Sequence, residues 1–202
     1  MNREGKLLLP IYVLPEGILM PGITLSLTVT DPDQIRMVDF AVRDEKMVGV
    51  LAVDPDTGRG FKVGTAAGIM KLYRFPGDVV RLSLRGLFRF RVLESAPGWP
   101  FEMARAERME TTYPDDPDEI EAWRKAVEVQ LRRIMELTPG VPDELQMVAL
   151  FRDPEKLGFV AAGGLEAPVS EKQRLLEEND IVRRLRILRD MMSHEIQVLK
   201  LR

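Results

Sequence analysis

The side chains best suited to catalysis and metal binding are scarce in this chain of 202 residues, which has one histidine, His194, and no cysteine. Thiol catalysis, disulfides and thiolate metal sites are therefore excluded, and a histidine metal cluster or a serine–histidine–acid triad lacks its usual parts. No glycine-rich phosphate loop is present. The sequence predicts no cofactor, no metal and no enzymatic activity for this chain by itself. His194 is predicted to lie on a polar or partly buried face of a helix.

Two groups of carboxylates have simpler interpretations than catalysis. Asp54 and Asp56, followed by Gly58, resemble the start of a calcium loop, but the ligands beyond are missing, so an ordinary turn is favoured. The dense acidic run over residues 115–121 lies where Asp116-Pro117 predicts the start of a helix. Capping and the helix dipole account for these acidic residues there.

A row of arginines, Arg81, Arg85, Arg89 and Arg91, follows one face of a strand with period-two alternation. Such a row can bind phosphates or acidic peptides. No aromatic residue alternates with these arginines on the same face, so base stacking is not supported. A solvated face paired with Glu102 or Glu107 of the next strand is favoured instead.

Exposed apolar residues at turns are the strongest candidates for a binding site. Met20, Pro21, Tyr73 and Phe75 cluster at proline–glycine turns beside strand ends, and we predict that they contact a substrate. Packing in the core or within the turns is the alternative for each. The 11 methionines suit adaptable binding surfaces, but filling gaps in the core is favoured for them.

The chain falls into two predicted domains, a β-rich one over residues 1–112 and a helical one over residues 113–202. Alternating apolar residues and turn signals predict strands over 6–14, 23–29, 48–53, 61–73, 79–92 and 101–109, with one helix over 32–43 capped by Asp31. Gly86 is predicted to mark a bulge. Beyond Asp116, helices are predicted from residue 117 to Pro139-Gly140, over 143–151 and 154–163, and from Ser170 onward. The fold class is α+β.

The last helical segment carries an apolar stripe without a stop signal. Ser170 is predicted to cap its start, with Gln173 as the capping-box partner, and a break is predicted near Asn179-Asp180. The stripe after the break consists of Ile181, Leu185, Leu188, Met192 and Leu199. We expect this face to act as a stem into a longer protein, to mediate self-association, or to pack back on the helical domain.

Bulk properties narrow the class of partner and the compartment. The net charge of −3 and pI near 5.4 argue against a nucleic-acid-binding protein. Prolines and glycines interrupt the apolar segment Leu7–Val29, so neither a membrane helix nor a signal peptide is predicted. We expect a cytoplasmic protein.

Five segments in order resemble the N-terminal region of the Lon-type ATP-dependent proteases. They are the opening Leu9-Pro10…Met20-Pro21-Gly22, the strand Val63-Gly64-Thr65, the run Leu84-Arg85-Gly86, the helix start Asp153-Pro154, and Glu171-Lys172-Gln173 with Arg184-Leu185. Met20 stands where that family usually has phenylalanine. The family's nucleotide loop and Ser-Lys peptidase dyad have no counterpart in these 202 residues.

The resemblance implies a PUA-like pseudo-barrel followed by a helical bundle that ends in a long helix. It also implies a non-catalytic module that captures unfolded or degron-bearing proteins for ATP-dependent proteolysis and assists oligomer assembly. A stand-alone PUA-like module that binds RNA or acts as an adaptor is the alternative.

Overall fold

The computed structural model describes residues 6–138 and 151–201. The chain divides into two compact units, residues 1–109 and 110–202, called here the N-terminal unit and the C-terminal unit. The sequence had suggested a boundary between residues 112 and 113. One predicted helix, over residues 143–151, lies outside the described residues except for Phe151.

The N-terminal unit contains six strands and one helix in its described part. The strands are β1 (Lys6–Leu14), β2 (Thr24–Val29), β3 (Met47–Ala52), β4 (Val63–Phe75), β5 (Val79–Ser95) and β6 (Met103–Arg108), and the helix is α1 (Pro32–Arg43). All seven elements are confirmed, with ends displaced by a few residues. The Asp31 carboxylate caps α1 by accepting hydrogen bonds from the backbone N–H groups of Asp33 and Gln34, both at 3.0 Å.

The six strands form one sheet that closes on itself. Their order is β2-β5-β4-β3-β1-β6, and β5 also pairs with β6. Strands β5, β4, β3, β1 and β6 therefore make a closed five-stranded barrel, while β2 pairs only with the first half of β5. All pairs are antiparallel except β1 with β3. This topology and the helical C-terminal unit confirm the α+β class.

Small residues let the barrel close around one aromatic ring. Phe90 is fully buried in a cluster with Leu9, Ile11 and Ala66. A Cβ added to Gly49 would lie 2.8 Å from Ile11 Cδ1 and 2.9 Å from Phe90 Cζ. Glycine is needed at Gly49 because the ring occupies the space that a side chain would take.

A second apolar layer lies on the other side of these strands, under α1. Met37, Val38 and Ala41 of the helix are buried in a cluster that includes Leu82 and Leu84 of β5. The strands thus bury side chains on both faces over much of their length. Strict alternation between buried and exposed positions applies only where a face is open to water.

Two of the predicted exposed residues are buried, which corrects the sequence prediction. Met20 is 0% exposed and Pro21 is also buried. The segment around them pairs with Gly86, whose N–H donates to Ile23 O and whose carbonyl accepts from Gly22 N–H, both at 2.9 Å. A Cβ on Gly86 would lie 2.4 Å from Met20 O, so the absence of a side chain at Gly86 is what allows this packing.

The predicted arginine row is also divided by the structure. The register of β5 against β4 shifts between Gly86 and Phe88, as the predicted bulge requires. Beyond the shift β5 enters the barrel, and Arg89 is 2% exposed rather than solvated. Arg91 lies 4.0 Å from Glu107, as predicted, whereas Arg81 and Arg85 lie before the shift and face solvent.

The described part of the C-terminal unit is helical. Its helices are α2 (Pro117–Leu137), α3 (Pro154–Gly164), α4 (Val169–Glu177) and α5 (Ile181–Leu199). Asp116 and Asp153 cap α2 and α3 through their carboxylates, each with proline at the start of the helix. The predicted cap at Ser170 is wrong, because α4 begins at Val169 without a side-chain cap. The predicted break before α5 is confirmed.

The apolar stripe of α5 packs within its own unit. Ile181, Leu185, Leu188 and Met192 are all 0% exposed, and α5 packs against α2, α3 and α4. Only Leu199 is partly exposed among the five stripe residues. The four buried side chains are therefore not available to a second chain, which corrects their assignment as a self-association surface. Packing back on the helical domain, the third expectation for this stripe, is what the structure shows.

Candidate functional site

The face of the sheet outside the barrel forms an open groove. Here β2, β5 and β4 lie side by side, and their registers place Thr28, Arg81 and Tyr73 in one cross-strand row. Ser26, Ser83 and Lys71 form the next row. These six side chains share one face because strand positions two residues apart point the same way.

The groove has a volume of about 710 Å³ and is rimmed by two aromatic rings. Tyr73 is 57% exposed and Phe75 is 46% exposed. The Arg81 guanidinium lies over the Phe75 ring, 5.1 Å from its centroid, which is within cation–π range. Phe75 ends β4 at the turn Pro76-Gly77-Asp78, as predicted, so both rings lie near the tip of a hairpin.

The charges of the groove all have the same sign. Strands β2 and β4 contain no aspartate or glutamate, and β5 has none before Glu94. In the described part of the chain, Lys71, Arg81 and Arg85 form no salt bridge. By contrast, Arg74 alternates to the opposite face and pairs with Asp39 of α1. The groove thus offers two aromatic rings, hydroxyl groups and unpaired cations, which suit binding of an extended polymer with apolar and anionic groups.

The structure brings together only half of the predicted binding residues. Tyr73 and Phe75 line the groove, whereas Met20 and Pro21 are buried. Sequence reasoning missed Lys71, Ser26 and Thr28, because cross-strand neighbours depend on register. It also treated Arg81 as lacking aromatic neighbours, although β4 supplies Tyr73 opposite Arg81 and Phe75 beneath its guanidinium.

The other carboxylate groups behave as the simpler interpretations predicted. Asp54 organises a turn by accepting from Asp56 N–H and Thr57 Oγ1, both at 2.9 Å. Asp116 caps α2 by accepting from Asp118 N–H and Glu119 N–H at 3.1 Å. No cluster of three or more metal-ligating side chains occurs within the residues that the structure describes.

A smaller groove of about 350 Å³ lies in the C-terminal unit, between α4 and α5. His194 lines it together with Glu171, Arg174 and Asp190. His194 is exposed on the polar side of α5, as predicted. This groove has charges of both signs and no Phe, Tyr or Trp side chain, so it lacks the exposed phenyl and phenol rings and the single sign of charge found in the groove of the N-terminal unit.

None of the helices over residues 6–138 and 151–201 is long and apolar enough to cross a membrane.

Comparison with known families assigns the chain to one of them. Residues 8–194 match the family described as ATP-dependent protease La (LON) substrate-binding domain. The chain therefore belongs to the LON substrate-binding domain family, and the resemblance found in the sequence is confirmed.

Some of the proteins similar to this chain are much longer than it is. The chain is 31% identical over its whole length to a Lon protease of Anaeromyxobacter dehalogenans, and 30% identical to Lon protease 2 of Myxococcus xanthus. It spans 25% of the length of each of these relatives.

Two solved structures with a similar fold are themselves N-terminal domains. The N-terminal domain of the Mycobacterium avium complex Lon protease aligns with a TM-score of 0.74 at 23% identity, covering 92% of this chain and 98% of that one. The Lon N-terminal domain protein from Xanthomonas campestris aligns with a TM-score of 0.67 at 25% identity, covering 90% and 96%.

Proposed function

We propose that this chain is a non-catalytic module that captures unfolded or degron-bearing polypeptides for ATP-dependent proteolysis. The observation that carries the proposal is the open groove of the N-terminal unit, where Tyr73 and Phe75 are held exposed on a rigid sheet. Membership of the LON substrate-binding domain family supports the same role. The matched region is the substrate-binding domain alone, and by itself this chain binds without hydrolysing ATP or cutting peptide bonds.

Exposed aromatic rings on a sheet suit this task. Rigid aromatic side chains bury a large apolar area at low entropic cost, so they contact many different apolar segments with little sequence preference. A single shallow groove binds weakly. Linking several copies, or several segments of one unfolded chain, raises the overall affinity through effective concentration.

Truncating the two rings tests the proposal. Fluorescence anisotropy with labelled casein, an unfolded protein, is measured for the unchanged chain and for the Tyr73→Ser, Phe75→Ser double variant. The double variant is expected to bind about tenfold more weakly, as for loss of an aromatic anchor.

Leu93→Ser is the matched control, because Leu93 of β5 is 47% exposed and does not line the groove. Its affinity for casein should equal that of the unchanged chain. Equal binding by all three proteins, with circular dichroism showing an intact fold, would reject the groove as the capture site.

Nucleic acid is the second candidate ligand, favoured by the one-signed charge of the groove. Phosphates would contact Lys71 and Arg81 while bases stack on the rings. A labelled oligonucleotide titrated at low salt decides between the two ligands, because phosphate contacts are strongest there. Absence of binding at low salt removes this candidate.

A further inference from the structure

Strand β2 has a free edge. Thr24–Val29 pairs with β5 on one side, and no other strand pairs with it in the described part of the chain. Over residues 6–138 and 151–201, no backbone hydrogen bond joins β2 to a loop either. Half of the N–H and C=O groups of β2 therefore point to an edge where the described part of the chain offers them no backbone partner.

This edge lacks the usual protection against strand addition. Natural edge strands carry lysine, proline, inward-pointing charges or bulges that block pairing with another chain. Strand β2 reads Thr-Leu-Ser-Leu-Thr-Val, with no charge and no proline, and its register with β5 is unbroken. An unprotected edge beside the candidate site suggests that the edge itself is used.

The two faces next to this edge differ in chemistry. On the groove side, Ser26 and Thr28 lead to the unpaired cations Lys71 and Arg81. On the other side, Leu25 and Leu27 are partly buried against the core. A strand added beside β2 would place alternate side chains in these two environments.

We propose that β2 accepts an extended segment of unfolded polypeptide as an additional strand, in which apolar residues alternate with acidic ones. The apolar residues pack beside Leu25 and Leu27, and the acidic residues lie on the groove face. Their nearest cation there is Arg81, one strand in from β2, and Lys71 lies one strand further. This inference rests on the proposed function and deepens it by naming the substrate class. Backbone pairing provides affinity that is independent of the sequence of the bound segment. The apolar and cationic faces beside β2 then select segments in which apolar and acidic residues alternate.

Charge argues against the other occupants of the edge. Two copies joined through β2 would bring together two groove faces that both carry cations and no carboxylate, so neither groove offers the other an opposite charge. The phosphates of a nucleic acid accept hydrogen bonds from N–H groups. They carry no donor for the carbonyl groups of a strand edge. An acidic, extended polypeptide satisfies the backbone and the charges together.

The test uses the full chain and a fluorescein-labelled ten-residue peptide in which glutamate alternates with valine. Two further peptides carry N-methyl groups on alternate amides. In one peptide the methylated amides are those that point toward β2, and in the other they are those that point away from it. Methylation in the register that faces β2 is expected to weaken binding by about tenfold or more, because it removes the paired donors, whereas the other register retains binding. Equal affinities for all three peptides would overturn strand addition.

Charge reversal tests whether the acidic side chains of the added strand lie on the groove face. Arg81→Glu should weaken binding of the acidic peptide about tenfold and improve binding of the same peptide with lysine in place of glutamate. Arg59→Glu is the matched control, since Arg59 is exposed in the turn before β4, outside the groove. An Arg81→Glu variant that binds both peptides as the unchanged chain does would contradict the assignment of the acidic face.

Amide hydrogen exchange gives a structural readout that separates the two proposals. Exchange over Thr24–Val29 should slow when the alternating peptide binds, while exchange over Val169–Glu177 stays the same. Casein binding that depends on Tyr73 and Phe75, without slower exchange in β2, would overturn strand addition and leave the proposed function standing. Absence of binding by casein and peptide alike would reject both proposals, and concentration-dependent dimers that slow β2 exchange without peptide would assign the edge to a second copy.

Discussion

Arg184 illustrates how one buried charge organises a unit. Its side chain is 0% exposed, yet it donates to Glu178 O at 2.6 and 3.0 Å and to Thr111 Oγ1 at 3.1 Å. Its Nη1 lies 3.4 Å from Glu155 Oε1, and its guanidinium covers the Phe159 ring at 4.5 Å. Burial lowers the pKa of Arg184, and the Glu155 carboxylate opposes that shift.

Replacing Arg184 should therefore destabilise the C-terminal unit. Arg184→Met removes the hydrogen bonds and leaves the Glu178 carbonyl without its guanidinium donors, so we expect a loss of about 3 kcal/mol in the free energy of unfolding. Urea unfolding followed by circular dichroism measures this loss. Arg183→Met, at the exposed neighbouring position, should change the free energy by less than about 0.5 kcal/mol. Equal effects for the two variants would contradict the organising role of Arg184.

At the scale of elements, two glycines of β4 differ in what surrounds them. A Cβ added to Gly64 would lie 2.2 Å from Val50 O and 2.6 Å from Leu51 Cδ2. A Cβ added to Gly68 would lie 3.5 Å from Leu87 Cδ1, an ordinary contact. Gly64 is required for the close approach of β4 to β3, whereas Gly68 is not.

Alanine substitution should separate these two positions. Gly64→Ala is expected to cost about 2 kcal/mol of stability, because a backbone carbonyl must move to relieve the clash. Gly68→Ala is expected to be neutral or to stabilise by roughly 0.5 kcal/mol, since alanine restricts the unfolded chain. Denaturant midpoints of the two variants provide the comparison, and a Gly64→Ala midpoint at or above that of Gly68→Ala would contradict the contact argument.

Helix α2 carries an ion network with a defined pH window. Arg124 donates to Glu121 at 2.7 and 2.9 Å and to Glu128 at 2.9 Å. The hydrogen bond from Arg124 lowers the pKa of Glu121 from 4.5 to about 2, and the hydrogen bond from Arg132 is the main cause of the lowered pKa of Glu128. A carboxylate with a lowered pKa stabilises the folded state above its unfolded pKa, and this contribution is lost as pH falls through the folded pKa.

Glu121→Gln should therefore lower the unfolding temperature at pH 6 and have progressively less effect as pH falls from about 4.5 to about 2. Thermal unfolding of both proteins at a series of pH values measures the difference. A difference that persists unchanged at pH 2 would show that the carboxylate charge is not its source.

The sequence predicted elements better than it predicted surfaces. Caps such as Asp31 and Asp116 are local signals, so the starts of α1 and α2 were read correctly. The burial of Met20 depends on Gly86, which is distant in sequence, and no local pattern reveals that contact. The neighbourhood of Arg81 and Tyr73 likewise follows from strand register, which turns and side-chain packing fix only in the folded chain.

At the scale of the whole molecule, membership of the LON substrate-binding domain family agrees with the sequence motifs and with the order of the elements. Those motifs fall largely on structural positions: Gly64 and Gly86 permit close backbone contacts, and Arg184 organises the helices. The groove residues Tyr73, Phe75 and Arg81 lie outside the quoted motifs. The family is thus recognised through its scaffold, while the grouping of Tyr73 and Phe75 with Arg81 was visible only in three dimensions.

The closure of the barrel also determines when the N-terminal unit can fold. Strand β1 pairs with β6, and Lys6 lies opposite Glu107. About 100 residues must therefore leave the ribosome before the last seam can form, which takes on the order of ten seconds at ordinary rates of synthesis. During that interval the apolar strand β1 lacks one of its neighbours, so the nascent chain presents exposed strand edges of its own before it is complete.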